Sequence, residues 1–391
     1  MKQAVILAAG EGQRLRPFTV TKPKTMLSIA AKPILQYVVE ALAQNGIRNI
    51  VIVVGYRREQ VFDYLGDGEK YGVNIVYITQ DAQLGTAHAL AQVKDEVEDE
   101  CLILPGDNLI EADTIAGFVT TKPNAILVKK VENMGRYGVV TTEGDMVQVI
   151  EEKPEEASSD MVNTGIYAFN KEVFEFIDVQ LGIPDVINYM IDQGREIRAQ
   201  ETNGTWLDVV YPWDMLNLND AILRRISPNT GGTIESGASV KGLVSIGKDT
   251  LVRSNSYIVG PVVIGGNCDI GPNVCIMPST SIGNNVVISP FCQIENSVIG
   301  DDVNIGPGSI IQDSVIDESC LIQGHFNACS GEVEVRINGG YQTVNVGAML
   351  GVGCKLGNSV VAQPGVILGN YSQVQAFKLI GGRLPDRSSV Y

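Results

Sequence analysis

No two of the seven cysteines (Cys101, Cys268, Cys275, Cys292, Cys320, Cys329 and Cys354) stand at C-x-x-C spacing, and their number is odd. Neither a disulfide framework nor a zinc site is expected, and the set reads as buried free thiols. Positive charge is scarce: 29 Lys and Arg stand against 45 Asp and Glu, a net charge of −16. That balance excludes nucleic acid and anionic membrane as general partners, since both call for a basic face. No apolar run approaches the ~20 residues needed to span a bilayer. No signal-peptide pattern precedes the first strand, so the expected location is cytoplasmic.

What is present is sharply localised. The opening stretch Met1–Met26 holds an apolar run, Ala4-Val5-Ile6-Leu7, followed by Ala8-Ala9-Gly10-Glu11-Gly12. A β-branched run of this length predicts a buried parallel strand. Small residues directly after it let a backbone approach a ligand closely, with amide groups turned toward phosphate oxygens. Residues 1–30 also carry Lys2, Arg14, Arg16, Lys22 and Lys24 against Glu11 alone. An acidic chain that gathers cations behind a glycine-rich turn is expected to hold a polyanion there.

Two familiar phosphate loops do not fit. Gly10-x-Gly12 lacks the third glycine of G-x-G-x-x-G, and no acidic residue follows the second strand at Gly55-Tyr56-Arg57. No Gly-Lys-Ser/Thr follows either, which removes the Walker pattern.

Further along, Ile34–Asn45 predicts an amphipathic helix closed by Gly46. Ile50–Val54, Ile75–Ile78 and Cys101–Leu104 predict three more strands. Strands alternating with helices imply an α/β fold, a Rossmann-like and mostly parallel sheet with helices on both faces. Ligands bind at the carboxyl ends of such strands, which places Gly10–Arg14 and Asp107 on one edge.

The pattern changes near residue 227, where turn-rich Ser227–Gly232 reads as a linker. Domain boundaries are therefore expected at 1–226, 227–233 (linker) and 234–391. In the last segment Ile-Gly pairs recur, with glycines at 247, 265, 271, 283, 300 and 306. The separations are multiples of six apart from one of 17, and the period returns at Gly351, Gly357 and Gly369. Hexapeptide spacing predicts a parallel β-helix with the aliphatic residue inward and glycine or asparagine at the tight corners. Between Ser319 and Asn345 the period fades, which predicts a loop or hairpin leaving the coil, with a strand at Val333–Ile337.

The first 226 residues resemble the sugar-1-phosphate nucleotidylyltransferase family. The resemblance rests on Leu7-Ala8-Ala9-Gly10-Glu11-Gly12-Gln13-Arg14-Leu15 and Lys22-Pro23-Lys24. Gln80, Leu84–Ala87, Gly106-Asp107-Asn108, Tyr137-Gly138, Glu151–Pro154, Asn163–Tyr167 and Trp206-Leu207-Asp208 follow in the family's order. With the hexapeptide extension, the likeness is to two-domain members related to UDP-N-acetylglucosamine synthases and glucose-1-phosphate thymidylyltransferases. It implies that the second domain is a left-handed parallel β-helix. It also implies a homo-oligomer, a trimer or higher.

The chemistry so implied joins a nucleoside triphosphate to a sugar 1-phosphate with release of pyrophosphate, so two polyanions must be positioned and neutralised. Arg14 and Lys24 take the catalytic places. Leu7, Ala8, Ala9, Gly10, Glu11, Gly12, Gln80, Gly85 and Thr86 take the nucleotide. Gly138, Glu152, Lys153, Asn163 and Thr164 take the sugar phosphate. Asp107 and Asp208 resemble the family's pair of Mg²⁺ ligands, oxygen donors of the kind this ion prefers. The amide of Gln80 suits the imide edge of uracil or thymine, and the resemblance favours UTP or dTTP. Asn163-Thr164-Gly165 resembles N-acetylglucosamine-handling members and Trp206-Leu207-Asp208 resembles thymidylyltransferases. The sugar therefore stays open, with a slight lean to glucose.

Two other readings differ in class. The β-helix of bifunctional relatives transfers acetyl groups with a histidine base, but the matching stretch here, Gly306–Ser314, has neither histidine nor tyrosine. His325 is the one histidine of that half and is expected to be satisfied or solvent-facing; His88 is expected to be structural. A silent regulatory subunit would be expected to lack Arg14, Lys24 or an aspartate, and all four residues are present.

Overall fold

The computed structural model describes residues 1–132, 134–154, 158–177, 182–337 and 340–391. Contacts divide the chain into two compact units. The first comprises Met1–Glu11, Lys22–Met26 and Ile34–Asp208; the second comprises Gly12–Thr21, Leu27–Pro33 and Val209–Tyr391.

In the first unit the four predicted strands form as β1 (Gln3–Ala8), β2 (Asn49–Val54), β3 (Asn74–Thr79) and β4 (Glu100–Pro105). They lie in the order β3-β2-β1-β4, all parallel. Alternate β1 residues serve two cores. Ala4, Ile6 and Ala8 pack with Leu35, Val38 and Leu42 of helix α1 (Ile34–Gln44), while Val5 packs with Leu90, Val186 and Met190. Burial on both faces explains why these strands read as continuous apolar runs instead of alternating ones.

Beyond β4 the sheet continues through mostly antiparallel partners. These are β5 (Ala125–Lys130), β6 (Gly138–Glu143), β7 (Met146–Glu152), β8 (Met161–Asn170) and β9 (Arg198–Glu201), giving the full order β3-β2-β1-β4-β8-β5-β9-β7-β6. Only β5 and β9 in this half pair in parallel. Order 3-2-1-4 reverses direction at β1/β4, and a crevice opens outside strand ends at such a point. Gly106 N–H donates to Leu7 O at 2.9 Å there, joining the loops after β1 and β4.

The second unit contains three stacked parallel sheets of nine, nine and eight short strands, a parallel β-helix. Each strand pairs with its equivalent one coil later, Val263 with Ser281 and Ser281 with Val298. That step from 18 to 17 residues is the one-residue deletion legible in the glycine spacing. Ile246, Ile264, Ile270, Ile282, Ile299 and Ile305 all point inward and are at most 2% exposed.

Two expectations change in detail. Asparagine takes the left-handed corners as expected, at Asn255, Asn267, Asn273 and Asn285, joined by Asp302, Ser319, His325 and glycines such as Gly308 and Gly353. The repeated Ile-Gly glycines lie elsewhere. Gly265 is needed for a different reason: a Cβ there would meet Gly283 C at 2.6 Å on the next coil. Second, the coil continues through Ser319–Ala328 by means of strands Leu321–Ile322 and Asn327–Ala328. Only the hairpin Gly331–Ile337/Gly340–Val346 leaves it, so Val315 pairs with Met349 across the insertion. The Ile-Gly period fades there because Asp317 and Gln323 follow the inward Ile316 and Ile322 where glycine follows elsewhere. Strand pairing also starts early, with Asn229–Thr230 and Thr233–Ile234 laid on Ser245–Ile246 and Leu251–Val252.

The buried thiols have a structural task. Cys268, Cys320 and Cys354 Sγ donate to the carbonyls of Gly283, Gly351 and Gly369 at 3.1, 3.2 and 3.2 Å, as Thr250 Oγ1 does to Gly265 at 2.7 Å. A small donor at this corner satisfies a carbonyl of the following coil. Burial pushes the Cys268 thiol up, and that of Cys101 up to about 12.

No helix among the described residues is long and apolar enough to cross a membrane.

Candidate active site

The loops at the β1/β4 ends assemble the first group of predicted residues. Asp107 follows Gly106 directly, and Asp208 closes the strand β10 (Trp206–Asp208), which pairs with Asn108–Ile110 so that Asp208 faces Asn108. Lys24 sits in a one-turn 3-10 helix, Lys24–Met26. Its Nζ lies 2.5 Å from Asp107 Oδ2 and 3.8 Å from Asp208 Oδ1. The three side chains are 14%, 31% and 17% exposed, sheltered enough that their charges act through less than full water screening.

Asn108 and Trp206 orient this group. With its amide O and N assigned so that both ends are paired, Asn108 donates to Asp107 Oδ1 at 3.1 Å and accepts from Trp206 Nε1 at 3.0 Å. Sequence reading had both residues inside motifs but gave neither a role. Trp206 also packs on Tyr137, with ring centroids 5.2 Å apart.

Tyr137 leads into the second group. Its carbonyl accepts from Lys153 N–H at 3.1 Å, and Gly138 pairs with Glu152 across β6 and β7. A Cβ on Gly138 would stand 3.1 Å from Glu152 Oε1, so glycine leaves room for that carboxylate. Lys153 adopts φ 47°, left-handed and uncommon for lysine, at the end of β7. β8 bulges between Asn163 and Ile166, at Thr164 and Gly165. Asn163 Nδ2 donates to Tyr167 OH at 2.8 Å, and its Oδ1 accepts from Gly165 N–H. Thr164 Oγ1 is buried and donates to Leu127 O at 2.6 Å. Thr164 thus holds the bulge with its side chain, which also accepts from Ile166 N–H.

A third group surrounds a cavity of about 500 Å³ whose walls include Glu11, Gly55, Arg58, Gln80, Asp81 and Gln83. Gln83 Nε2 donates to Ala9 O at 2.6 Å, tying the loop after β1 to the loop after β3. Gly55 permits the same approach, since a Cβ there would meet Ala9 O at 2.9 Å. Neither contact had a sequence signal. Gln80 is buried and its Nε2 contacts Gly85 O at 3.2 Å and His88 Nδ1 at 2.9 Å. With His88 Nδ1 as the acceptor both amide hydrogens are engaged, which leaves Oε1 as the acceptor of a residue that lines the cavity. His88 is structural in this sense, an orienting neighbour of Gln80. Gly85 and Thr86 are exposed, and Thr86 Oγ1 accepts from Ile183 N–H.

Leu7, Ala8, Ala9, Gly10 and Glu11 stay with these groups in the first unit. Gly12 and Arg14 fall in the second unit, in the loop Gly12–Thr21, where Arg14 is exposed. Among the described residues no three His, Cys, Asp or Glu side chains converge as a ready metal cage. Asp107 and Asp208 are a two-carboxylate set, the number with which magnesium is held when phosphates supply the remaining oxygens.

The chain is similar to known proteins over most of its length. Residues 3–225 match the nucleotidyl transferase family model, and residues 258–333 match that of the GMPPB C-terminal domain. The bifunctional protein GlmU of Methanococcus maripaludis is 32% identical over 99% of this chain and 97% of its own length. A bifunctional sugar-1-phosphate nucleotidylyltransferase/acetyltransferase of Sulfurisphaera tokodaii is 32% identical over 95% of each chain. The glucose-1-phosphate thymidylyltransferase of Streptomyces griseus is 31% identical over 80% of this chain and 91% of its own. A crystal structure from Bacillus anthracis, given as a glucose-1-phosphate thymidylyltransferase, aligns at TM-score 0.54 and 30% identity over 58% of this chain and 97% of that one. Matched by that family model over more than half of its length, this chain belongs to the nucleotidyl transferase family.

Proposed function

We propose that the chain is a sugar-1-phosphate nucleotidylyltransferase that uses dTTP or UTP, with glucose 1-phosphate or N-acetylglucosamine 1-phosphate as the acceptor. The observation that carries this is the convergence of Lys24, Asp107 and Asp208 beside the β1 loop. The sugar's phosphate oxygen attacks the α-phosphorus, the new P–O bond forms as the α–β bridge breaks, and pyrophosphate departs with the electron pair.

Each residue has a task in that step. Lys24 neutralises charge at the α-phosphate as a point charge, and Arg14 takes the leaving phosphates with its planar fork. Gly10 and its neighbours offer backbone amides, while Gln80 Oε1 accepts the imide N–H of uracil or thymine. Lys153 meets the sugar's phosphate, and Glu152 and Asn163 line the sugar. Asp107 and Asp208 would hold Mg²⁺, oriented by Asn108. Bound magnesium would neutralise charge on the phosphates and hold them for in-line displacement.

The same reading runs the catalytic domain over 1–226 and a left-handed β-helix over 234–391, in a cytoplasmic homo-oligomer, a trimer or higher. The test is a matrix of four sugar 1-phosphates against UTP, dTTP, ATP and GTP, scored by pyrophosphate release. The expected activity falls in the UTP or dTTP columns. Silence in every cell overturns the enzymatic reading and favours a regulatory subunit.

The name of the Sulfurisphaera relative, which includes an acetyltransferase, favours a second activity, acetyl transfer in the β-helix. Here its base would be His325, exposed at a left-handed corner with its ring against Gly308. Thiol release from acetyl-CoA with glucosamine 1-phosphate, lost in His325→Ala, decides it.

A further inference from the structure

The second unit contains an element from the far end of the sequence pattern, the loop Gly12–Thr21. The loop is stapled internally: Leu15 N–H donates to Gly12 O at 2.9 Å and Thr19 Oγ1 to the same carbonyl at 2.7 Å. Its middle is tied to the last coils of the β-helix. Asn370 Nδ2 donates to Pro17 O at 3.0 Å, and Arg383 Nη2 donates to Arg16 O at 3.1 Å.

Asn370 belongs to a repeated device. At its corner an Asn or Asp oxygen caps a backbone N–H of the preceding coil. Asn284 Oδ1 accepts from Gly266 N–H, Asp301 Oδ1 from Asn284 N–H, and Asn370 Oδ1 from Val352 N–H. Each Asn also donates through Nδ2 to the next rung, Asn284 to Asp301 and Asn370 to Asp386. The two rungs differ in one respect. Asn284 is exposed, whereas Asn370 is 1% exposed and gives its remaining amide hydrogen to Pro17 O. With Oδ1 on Val352 and Nδ2 on Asp386 and Pro17, the Asn370 amide is fully engaged and cannot turn away without breaking three bonds. The coil needs only the rung, so the third bond serves the loop.

We propose that Asn370 and Arg383 are positioning residues for nucleotidyl transfer, which hold the Arg14 loop from the terminal coils of the β-helix. They touch no reacting atom and act through Arg16 and Pro17, two and three residues beyond Arg14. A catalytic arginine on an exposed loop must otherwise be ordered by the nucleotide itself, and small displacements of such groups are costly in rate.

This proposal rests on the reading of Arg14 as a triphosphate ligand, and the experiment separates the two. Asn370→Ala, Arg383→Gln and their double variant are compared with Asn284→Ala, which removes the same rung where nothing covers it, and with Arg14→Ala. Hydrogen exchange of segment 12–21 is measured in each full-length protein, together with kinetics on dTTP and UTP with glucose 1-phosphate. Faster exchange of 12–21 is expected in the Asn370 and Arg383 variants and not in Asn284→Ala. In the double variant kcat/KM for the nucleotide is expected to fall roughly tenfold or more, while KM for glucose 1-phosphate at saturating nucleotide stays put. Unchanged exchange, or a loosened loop with unchanged nucleotide kinetics while Arg14→Ala is impaired, overturns the positioning role. Full activity in Arg14→Ala overturns the reading beneath it instead.

Discussion

Lys24 Nζ lies 2.5 Å from Asp107 Oδ2, so a cation of the chain itself occupies the ground between the two carboxylates assigned to the metal. Ammonium and divalent ion draw on the same oxygens. Lys24→Met is therefore expected to tighten Mn²⁺ binding to the nucleotide-free protein while turnover falls about 10²–10³-fold, the usual cost of losing one aimed charge. Calorimetric titration reads the first effect and pyrophosphate release the second. Asp107→Ala with full pyrophosphate release would sink the metal assignment.

Asn108 and Trp206 act on the same carboxylate one step out. Asn108→Ala removes the donor to Asp107 Oδ1, and Trp206→Phe removes the N–H that fixes the amide. Partners of this kind are worth about 10–100-fold in metal affinity. The Mg²⁺ concentration for half-maximal rate is expected to rise by that factor in Asn108→Ala, and less in Trp206→Phe. Equal midpoints in all three proteins contradict the arrangement.

Gly55→Ala tests the close approach of the loops. The added methyl would meet Ala9 O at 2.9 Å, backbone that cannot swing aside. A loss of about 1–3 kcal/mol is expected from overpacking, seen in denaturant midpoints, with a raised KM for the nucleotide. An unchanged midpoint would show that the β1 loop tolerates displacement.

Asp220 gives the second unit an acid limit. Burial raises its pKa, but hydrogen bonds from Arg224 Nε at 2.8 Å and Ser279 Oγ at 2.6 Å outweigh it and hold the carboxyl below its usual value. A depressed carboxylate stabilises the fold above its unfolded pKa, near 4, and that contribution is lost as pH falls through the folded value. The Tm difference between wild type and Asp220→Asn is expected to be steady from about pH 7 to 5 and to shrink below the unfolded value. A difference constant down to pH 2 (roughly, below any ordinary carboxylate) excludes the linkage.

Thiol chemistry checks the β-helix corners. Cys329 is exposed, while Cys101, Cys268, Cys292, Cys320 and Cys354 are buried. Titration of the native protein with an aromatic disulfide is expected to give one fast thiol, absent in Cys329→Ser, with Cys275 slower. Several fast thiols would mean that the coils open.

Elements whose residues repeat or run together were legible in the amino-acid order. Ile264-Gly265 and its copies specify stacked coils because inward packing recurs at each turn, and Ala4–Leu7 specifies a strand buried on both faces. Which residues tie those elements together is set by the folded chain. Gln83 reaches Ala9 across 74 positions and Asn370 reaches Pro17 across 353, and neither partner repeats or neighbours the other in the chain. The same asparagine rung is solvent-facing at Asn284 and covered at Asn370. Periodicity reports which way a side chain points from its own backbone, whereas these contacts depend on which distant backbone carbonyl the folded chain brings within 3 Å of it.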